Sequence, residues 1–187
     1  MSKATVLLIE EHRVIEQMLD VLESVASKLE KEEQVEATVV ERALDFVRNF
    51  ADRCHHHKEE DLLFASLVNH GLPREVGPIA VMLSEHQAGR AHVRAAAQAL
   101  AAYQWGDTAK GDEIAQNIRG YVGILRQHIP KEDNVLYPMA DGTLSAAELE
   151  RLLAELERVE REDMGEGVHE RYHHLAEELS KALGTGK

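Results

Sequence analysis

A single cysteine, Cys54, leaves no internal disulfide to brace this chain. Prolines number four and aromatics make up only 4% of residues, a composition that suits a helical protein. Basic residues are scarce too, 21 Lys and Arg against 34 Asp and Glu, for a net charge of −13. That balance excludes the basic stripe that follows a phosphate backbone, so nucleic acid is not an expected partner and anionic membrane surfaces are disfavoured. No apolar run approaches the roughly 20 residues of a membrane span. The opening MSKATVLLIEEHR turns charged after four consecutive apolar residues, too few for the apolar stretch of a secretory signal, so we expect a cytoplasmic location.

What is present suits helices. Alanine, leucine and glutamate dominate, and 44% apolar with 29% charged residues is enough for a buried core. Leu8, Ile15, Leu19, Leu22 and Leu29 recur at helical intervals. Thr38 with Glu41 reads as a capping box opening a second helix, whose face is Val40, Leu44, Val47, Phe50 and Cys54. Gly71 and Pro73 close it. A third helix follows Gly77-Pro78 and runs to about Tyr103. A fourth starts near Asp112 with Ile114, Ile118, Val122, Leu125 and Ile129 on one face, and ends at Asp141-Gly142. Ser145 and Glu148 form a capping box for a fifth helix with a stripe of Leu149, Leu152, Leu153 and Leu156. Gly165 and Gly167 then interrupt the tail before a last helical piece. The expected fold is all-α: an up-down-up-down four-helix bundle over residues 1–142, made of a duplicated helical hairpin. Residues 143–187 form an added C-terminal helical element packed on the same domain.

The duplication is visible in the sequence. HHHKEEDLLF from His55 and HIPKEDNVLY from His128 share a pattern at an offset of 73 residues. EHRVIEQML, with His12, and EHQAGRAHV, with His86, share another at an offset of 74. Residues four apart on a helix stand on one face, so His55 projects with Glu59 and His128 with Glu132. His12 and His86 add one imidazole each. Six nitrogen and oxygen donors without a thiolate suit iron, manganese or zinc, and two carboxylates related by the repeat could each bridge two ions.

Taken singly, each histidine is better explained as solvated surface, but surface residues have no reason to recur as His-x-x-Lys-Glu in both halves. Lys58 and Lys131 are expected to be solvated, and the leucine and aromatic after each motif to be plain core packing. Cys54 is expected to be a small buried residue. Glu166-x-x-His169 and Glu170-x-x-His173 match the ligand spacing of ferritin-like carboxylate sites, yet they lie in the glycine-interrupted tail and are expected on a polar surface.

CHHHKEEDLLF, LSEHQAGR and QHIPKEDNVLYP, with EEHRVIEQ as a weaker fourth phrase, resemble the hemerythrin-like HHE cation-binding proteins over at least residues 8–141. The resemblance implies a four-helix bundle with a non-haem di-iron centre, and its ligands carry over to His12, His55, Glu59, His86, His128 and Glu132. Oxygen-carrying hemerythrins bring two histidines four apart from the third helix. Here Arg90 stands four after His86, and His92 is six away. His56 is the candidate for a seventh ligand; its competing reading is an imidazole outside the ligand set. Glu60, Tyr121 and Glu16 are candidates to support the ligands, and Pro130 is expected to kink the helix between His128 and Glu132. The expected cofactor is two iron ions, with zinc or manganese as substitutes. The expected partner is a small diatomic ligand or peroxide: dioxygen, peroxide or nitric oxide, bound or consumed. The alternative is a metal-binding regulatory module whose C-terminal helices recruit an unknown protein partner.

Overall fold

The computed structural model describes residues 1–165 and 167–185, and among these it contains six helices and no strand. Helix α1 (Lys3–Glu30) opens on Ser2, whose hydroxyl accepts the Thr5 amide. Its buried stripe is the expected one, Leu8, Ile15, Leu19, Leu22 and Leu29. Helix α2 (37–69) begins one residue before the expected cap: Glu36 is the N-cap and Thr38 lies in the first turn, so the anticipated capping box is not formed. Helix α3 (Gly77–Gln104) carries Pro78 in its first turn, where the missing amide costs nothing. Helix α4 (111–143) follows. Then α5 (146–164) opens on the Ser145–Glu148 capping box, and α6 (Val168–Leu183) follows the turn at Gly165 (φ +94°) and Gly167 (φ +76°). Positive φ there is accessible to glycine without steric cost. Among the described residues, no helix is long and apolar enough to cross a membrane.

The first four helices alternate in direction. Ser2 meets Asp141 while Arg119 reaches Glu30, so α1 and α4 are antiparallel. Glu60 meets Arg90 while Glu41 meets Gln104, so α2 and α3 are antiparallel as well. His92–Asn117 and Glu85–His128 give the same relation for α3 and α4. Gly120 lets α3 and α4 close: a Cβ there would fall 2.4 Å from the His92 ring.

Two apolar clusters fill the bundle. The larger holds Leu19, Leu22, Phe46, Phe50, Ile118 and Leu125; the smaller holds Leu8, Leu63, Phe64, Leu67, Ile79 and Leu136. Full burial of such side chains contributes about 1.5–3 kcal/mol each. On α1, α2 and α3 the repeated histidines fall between the stretches that feed these clusters, and on α4 His128 stands near their border, with Leu125 and Ile129 of the larger cluster around it and Leu136 of the smaller one beyond. Leu152 and Leu156 of α5 join the smaller cluster, and Tyr172, Ala176 and Leu179 of α6 join the larger.

Candidate metal centre

Backbone geometry departs from the plain α-helix at the ligand motifs. Over Val47–His56, Lys58–Leu63 and Glu132–Leu136 the hydrogen bonding widens toward i→i+5, as in the His57 amide donating to the Asp52 carbonyl. Such widened turns recur at functional sites. Pro130, inside α4, lacks an amide, and the widened turn follows it directly. The His128–Glu132 pair survives this disturbance, with Nε2 and Oε2 3.1 Å apart.

The fold brings His12, His55, His56, Glu59, His86, His128 and Glu132 together, all buried. Two groups of potential ligand atoms result, each within 4.8 Å of one another: His12, His55, Glu59 and Glu132 in one, and His56, Glu59, His86 and His128 in the other. The carboxylates face both groups. Glu132 Oε2 lies 3.3 Å from His12 Nε2 and 3.1 Å from His128 Nε2. Glu59 Oε2 lies 3.6 Å from His55 Nε2 and 3.5 Å from His86 Nε2. His56 stacks on His86 with centroids 3.8 Å apart. His56 of α2 thus stands beside His86, where α3 itself has Arg90 four residues on.

The outer nitrogens are all engaged. Nδ1 of His55 pairs with Glu11 at 2.9 Å, and that of His128 with Glu85 at 2.9 Å. Nδ1 of His12 pairs with Asp133 at 2.7 Å, and that of His86 with Glu60 at 2.7 Å. These partners repeat at the ligands' own offsets, Glu11 with Glu85 and Glu60 with Asp133, so the duplication includes the supporting carboxylates. A carboxylate on Nδ1 fixes the ring and turns Nε2 inward as the donor to a metal.

The inward side is left unsatisfied. His55 Nε2, Glu59 Oε2 and both oxygens of Glu132 are buried without a hydrogen-bond partner. Some of these atoms are close to other nitrogens, but the directions do not make hydrogen bonds. Stranding buried acceptors against one another is costly, and a cation at that point removes the cost. The donor set therefore fits a bound metal.

Proton affinities bear the same mark. Burial disfavours charge on His12, but Asp133 and Glu132 outweigh it and raise its pKa to about 9. His128 is raised too: burial is overcome by Glu132 and Glu85. Burial dominates elsewhere, depressing His55, bringing His56 down to about 4 and His86 to about 3. Burial and the neighbouring Glu132 push Glu59 well above the usual carboxyl range, while Glu132, despite its burial, is held well below it by His128 and His12. Protons stand where cations could.

Residues 3–140 match the hemerythrin HHE cation binding domain. The chain belongs to this hemerythrin family. Among curated proteins it is similar to an uncharacterized protein of Mycobacterium bovis and to uncharacterized proteins of two Mycobacterium tuberculosis strains. Each is 26% identical over 180 residues, covering 95% of this chain and 69% of the relative. No solved structure matches the chain.

Several surrounding residues of this hemerythrin domain sit differently from expectation. Lys58 is not solvated but fully buried, between Glu11 at 2.6 Å and Glu160 at 2.5 Å; those two carboxylates offset the loss of hydration. Lys131 is partly exposed and pairs with Glu85. Tyr137 is not plain core packing: its hydroxyl donates to Glu59 Oε1 at 2.7 Å and lies 3.3 Å from His12 Nε2. Its repeat mate Phe64 is buried in the apolar cluster, stacked on His86. Glu16 touches none of the ligand rings; it pairs with Arg13, which in turn pairs with the Asp133 carboxylate that holds His12. Glu60 does support His86, and it also accepts from Arg90, which bridges to Asp52 at 2.7 Å. Tyr121 is buried with its hydroxyl unpartnered, beside a cavity of about 20 Å³ shared with His56, Arg90 and Asp52. Cys54 is buried as expected. In the tail, His169 does not stay on the surface but joins Glu11 at 3.2 Å, His173 is half-buried against Phe50, and Glu166 lies outside the described residues. Sequence reasoning missed Glu11, Glu85 and Asp133, although each stands next to a ligand and recurs, as a carboxylate, in the other half.

Proposed function

We propose that this chain holds two iron ions and reacts with a small oxidant: dioxygen, peroxide or nitric oxide. His12 and His55 would hold one ion, and His56, His86 and His128 the other, with Glu59 and Glu132 shared between them. Residues 143–187 belong to the same folded unit in this proposal. The observation that carries it is the set of buried, unpartnered acceptors on His55, Glu59 and Glu132, at the meeting point of five imidazoles. Five nitrogen donors and two carboxylates suit iron; zinc or manganese are the substitutes the same donors would accept. Bound iron would supply the electrons for reducing the oxidant.

The protein's own groups define the rest. The carboxylates on Nδ1 hold four rings at fixed angles. Tyr137 holds Glu59 and offers a hydroxyl proton beside His12. The two apolar clusters on either side keep bulk water out.

The test is stopped-flow absorbance of the reduced, iron-loaded protein mixed separately with oxygen, peroxide and nitric oxide, followed by an argon purge. We expect reaction within seconds and no recovery of the reduced form under argon. Recovery under argon would make the protein a reversible carrier. Silence toward all three would leave a metal-binding module without redox chemistry.

A further inference from the structure

The two halves of the duplicated network are finished differently. In each half a lysine pairs with the carboxylate that holds a ligand histidine: Lys58 with Glu11 and His55, Lys131 with Glu85 and His128. These residues correspond at the repeat offsets. Their surroundings do not. The Lys131 side chain is 40% exposed and Glu85 23%, whereas Lys58 is 0% and Glu11 2% exposed. The difference comes from the C-terminal helices. Glu160 of α5 accepts from Lys58 Nζ at 2.5 Å, and His169 of α6 lies with Nε2 3.2 Å from Glu11 Oε1. Both lie beyond the stretch that matches the family domain.

Glu11, Glu160 and His169 could by themselves suggest a third metal position. The Lys58 ammonium already stands between the two carboxylates, so another cation would meet repulsion and find their charge neutralised. What the arrangement does is fix Glu11. One of its oxygens receives Lys58 and faces His169, and the other is left to His55 Nδ1.

We propose that Glu160 and His169 are positioning residues: through Lys58 and Glu11 they lock His55, and so make the metal position built on His12 and His55 tighter than the one built on His56, His86 and His128. This rests on the two-metal proposal above. It gives the C-terminal helices a defined task, setting the order in which the two metals leave. The position served by Lys131 and Glu85, open to solvent on its outer side, releases first.

The experiment uses the whole chain loaded anaerobically with iron-57, titrated with a ferrous chelator and followed by Mössbauer spectroscopy. In the wild type, two irons should leave in two steps. Glu160→Gln and His169→Ala should each weaken the later-leaving iron about 10–100-fold, the usual scale for loss of a ligand's supporting partner, and alter one quadrupole doublet only. Lys131→Met should perturb the other doublet. Glu177→Gln, exposed on α6, is the control and should change neither. Lys58→Met risks misfolding by leaving Glu11 buried and unpaired, so the two tail substitutions carry the test, with circular dichroism of each metal-free variant as the folding check. Two irons in the wild type with unchanged release from both tail variants would overturn this inference alone. So would equal weakening of both irons, which is what a general loss of stability produces. Fewer than two irons in the wild type would overturn the dinuclear proposal and this one together.

Discussion

Tyr137 on α4 donates its hydroxyl to Glu59 on α2 at 2.7 Å, tying the second half of the duplicated chain to the carboxylate of the first. Both residues are fully buried. Tyr137→Phe would strand one oxygen of Glu59 without a donor. The metal-free variant should lose about 1–3 kcal/mol, the usual cost of an unsatisfied buried acceptor. Urea unfolding at neutral pH measures this, and an unchanged midpoint would mean that the hydroxyl contributes nothing.

Ligand substitutions should fall into two classes. Glu59 and Glu132 each face both groups of histidines, so Glu59→Ala or Glu132→Ala should abolish binding of both metals. His56 faces only one group, so His56→Ala should leave about one metal per chain. Elemental analysis after ferrous loading under argon decides between them. Loss of both metals in His56→Ala would show that the two positions cannot be filled separately.

Metal binding should release protons. With its pKa at about 9, His12 carries an extra proton at pH 7, and Nε2 must lose it to become a ligand. Glu59, pushed upward by burial and Glu132, adds to the release. Calorimetry of metal binding at pH 7, in two buffers of different ionisation enthalpy, should report net proton release, and the His12 share should vanish above pH 9. Proton uptake at pH 7 would contradict the assignment.

The same groups shape the stability of the metal-free protein. His12 is raised above its ordinary 6.5, so its contribution is complete below that value and is lost as pH climbs through about 9. His56 and His86 are depressed, so theirs is present above 6.5 and lost as pH falls through about 4 and about 3. Taken together, these three histidines favour stability near pH 6.5 and weaken it on both sides, while Glu59, raised above its ordinary range, adds a loss on the alkaline side. Thermal melts across pH 3–10 check this, and a plateau from pH 6.5 through 9 would count against the His12 contribution.

Cys54 should be inert. Burial, reinforced by Glu11, pushes its thiol up to about 12, and the residue is wholly enclosed. An alkylating reagent at pH 8 should modify it on the order of 1,000-fold more slowly in the native protein than in urea, because a pKa displaced by about three units removes that much thiolate. Comparable rates would show that α2 opens around residue 54.

Much of the bundle is legible in the sequence. Apolar residues at helical spacing mark one face of each helix, because rotation along the chain alone decides which residues share a side. The offsets of 73 and 74 marked the duplication, and the His-x-x-x-Glu pairs followed from one turn of helix. The second helix starts ahead of its expected cap: Thr38 offers cap chemistry, but the chain is already helical from Ala37, with Glu36, two residues earlier, at the N-cap.

What lies across the gap between helices was not legible. Lys58 and Lys131 occupy the same place in the repeat, yet α5 and α6 bury the first and leave the second half in water. Phe64 and Tyr137 likewise correspond, but only Tyr137 has a hydroxyl to reach Glu59. His55 and His56 fall in different groups of candidate ligand atoms because neighbouring residues on a helix point in different directions, one toward His12 of α1 and the other toward His86 of α3 and His128 of α4. Sequence by itself determined the helices, their inward faces and the stock of nitrogen and oxygen donors, since these depend on local rotation and on residue chemistry. Tertiary packing decided which donors meet, which lysine is dry and which carboxylate holds which ring, since those depend on contacts between residues 26 to 158 positions apart.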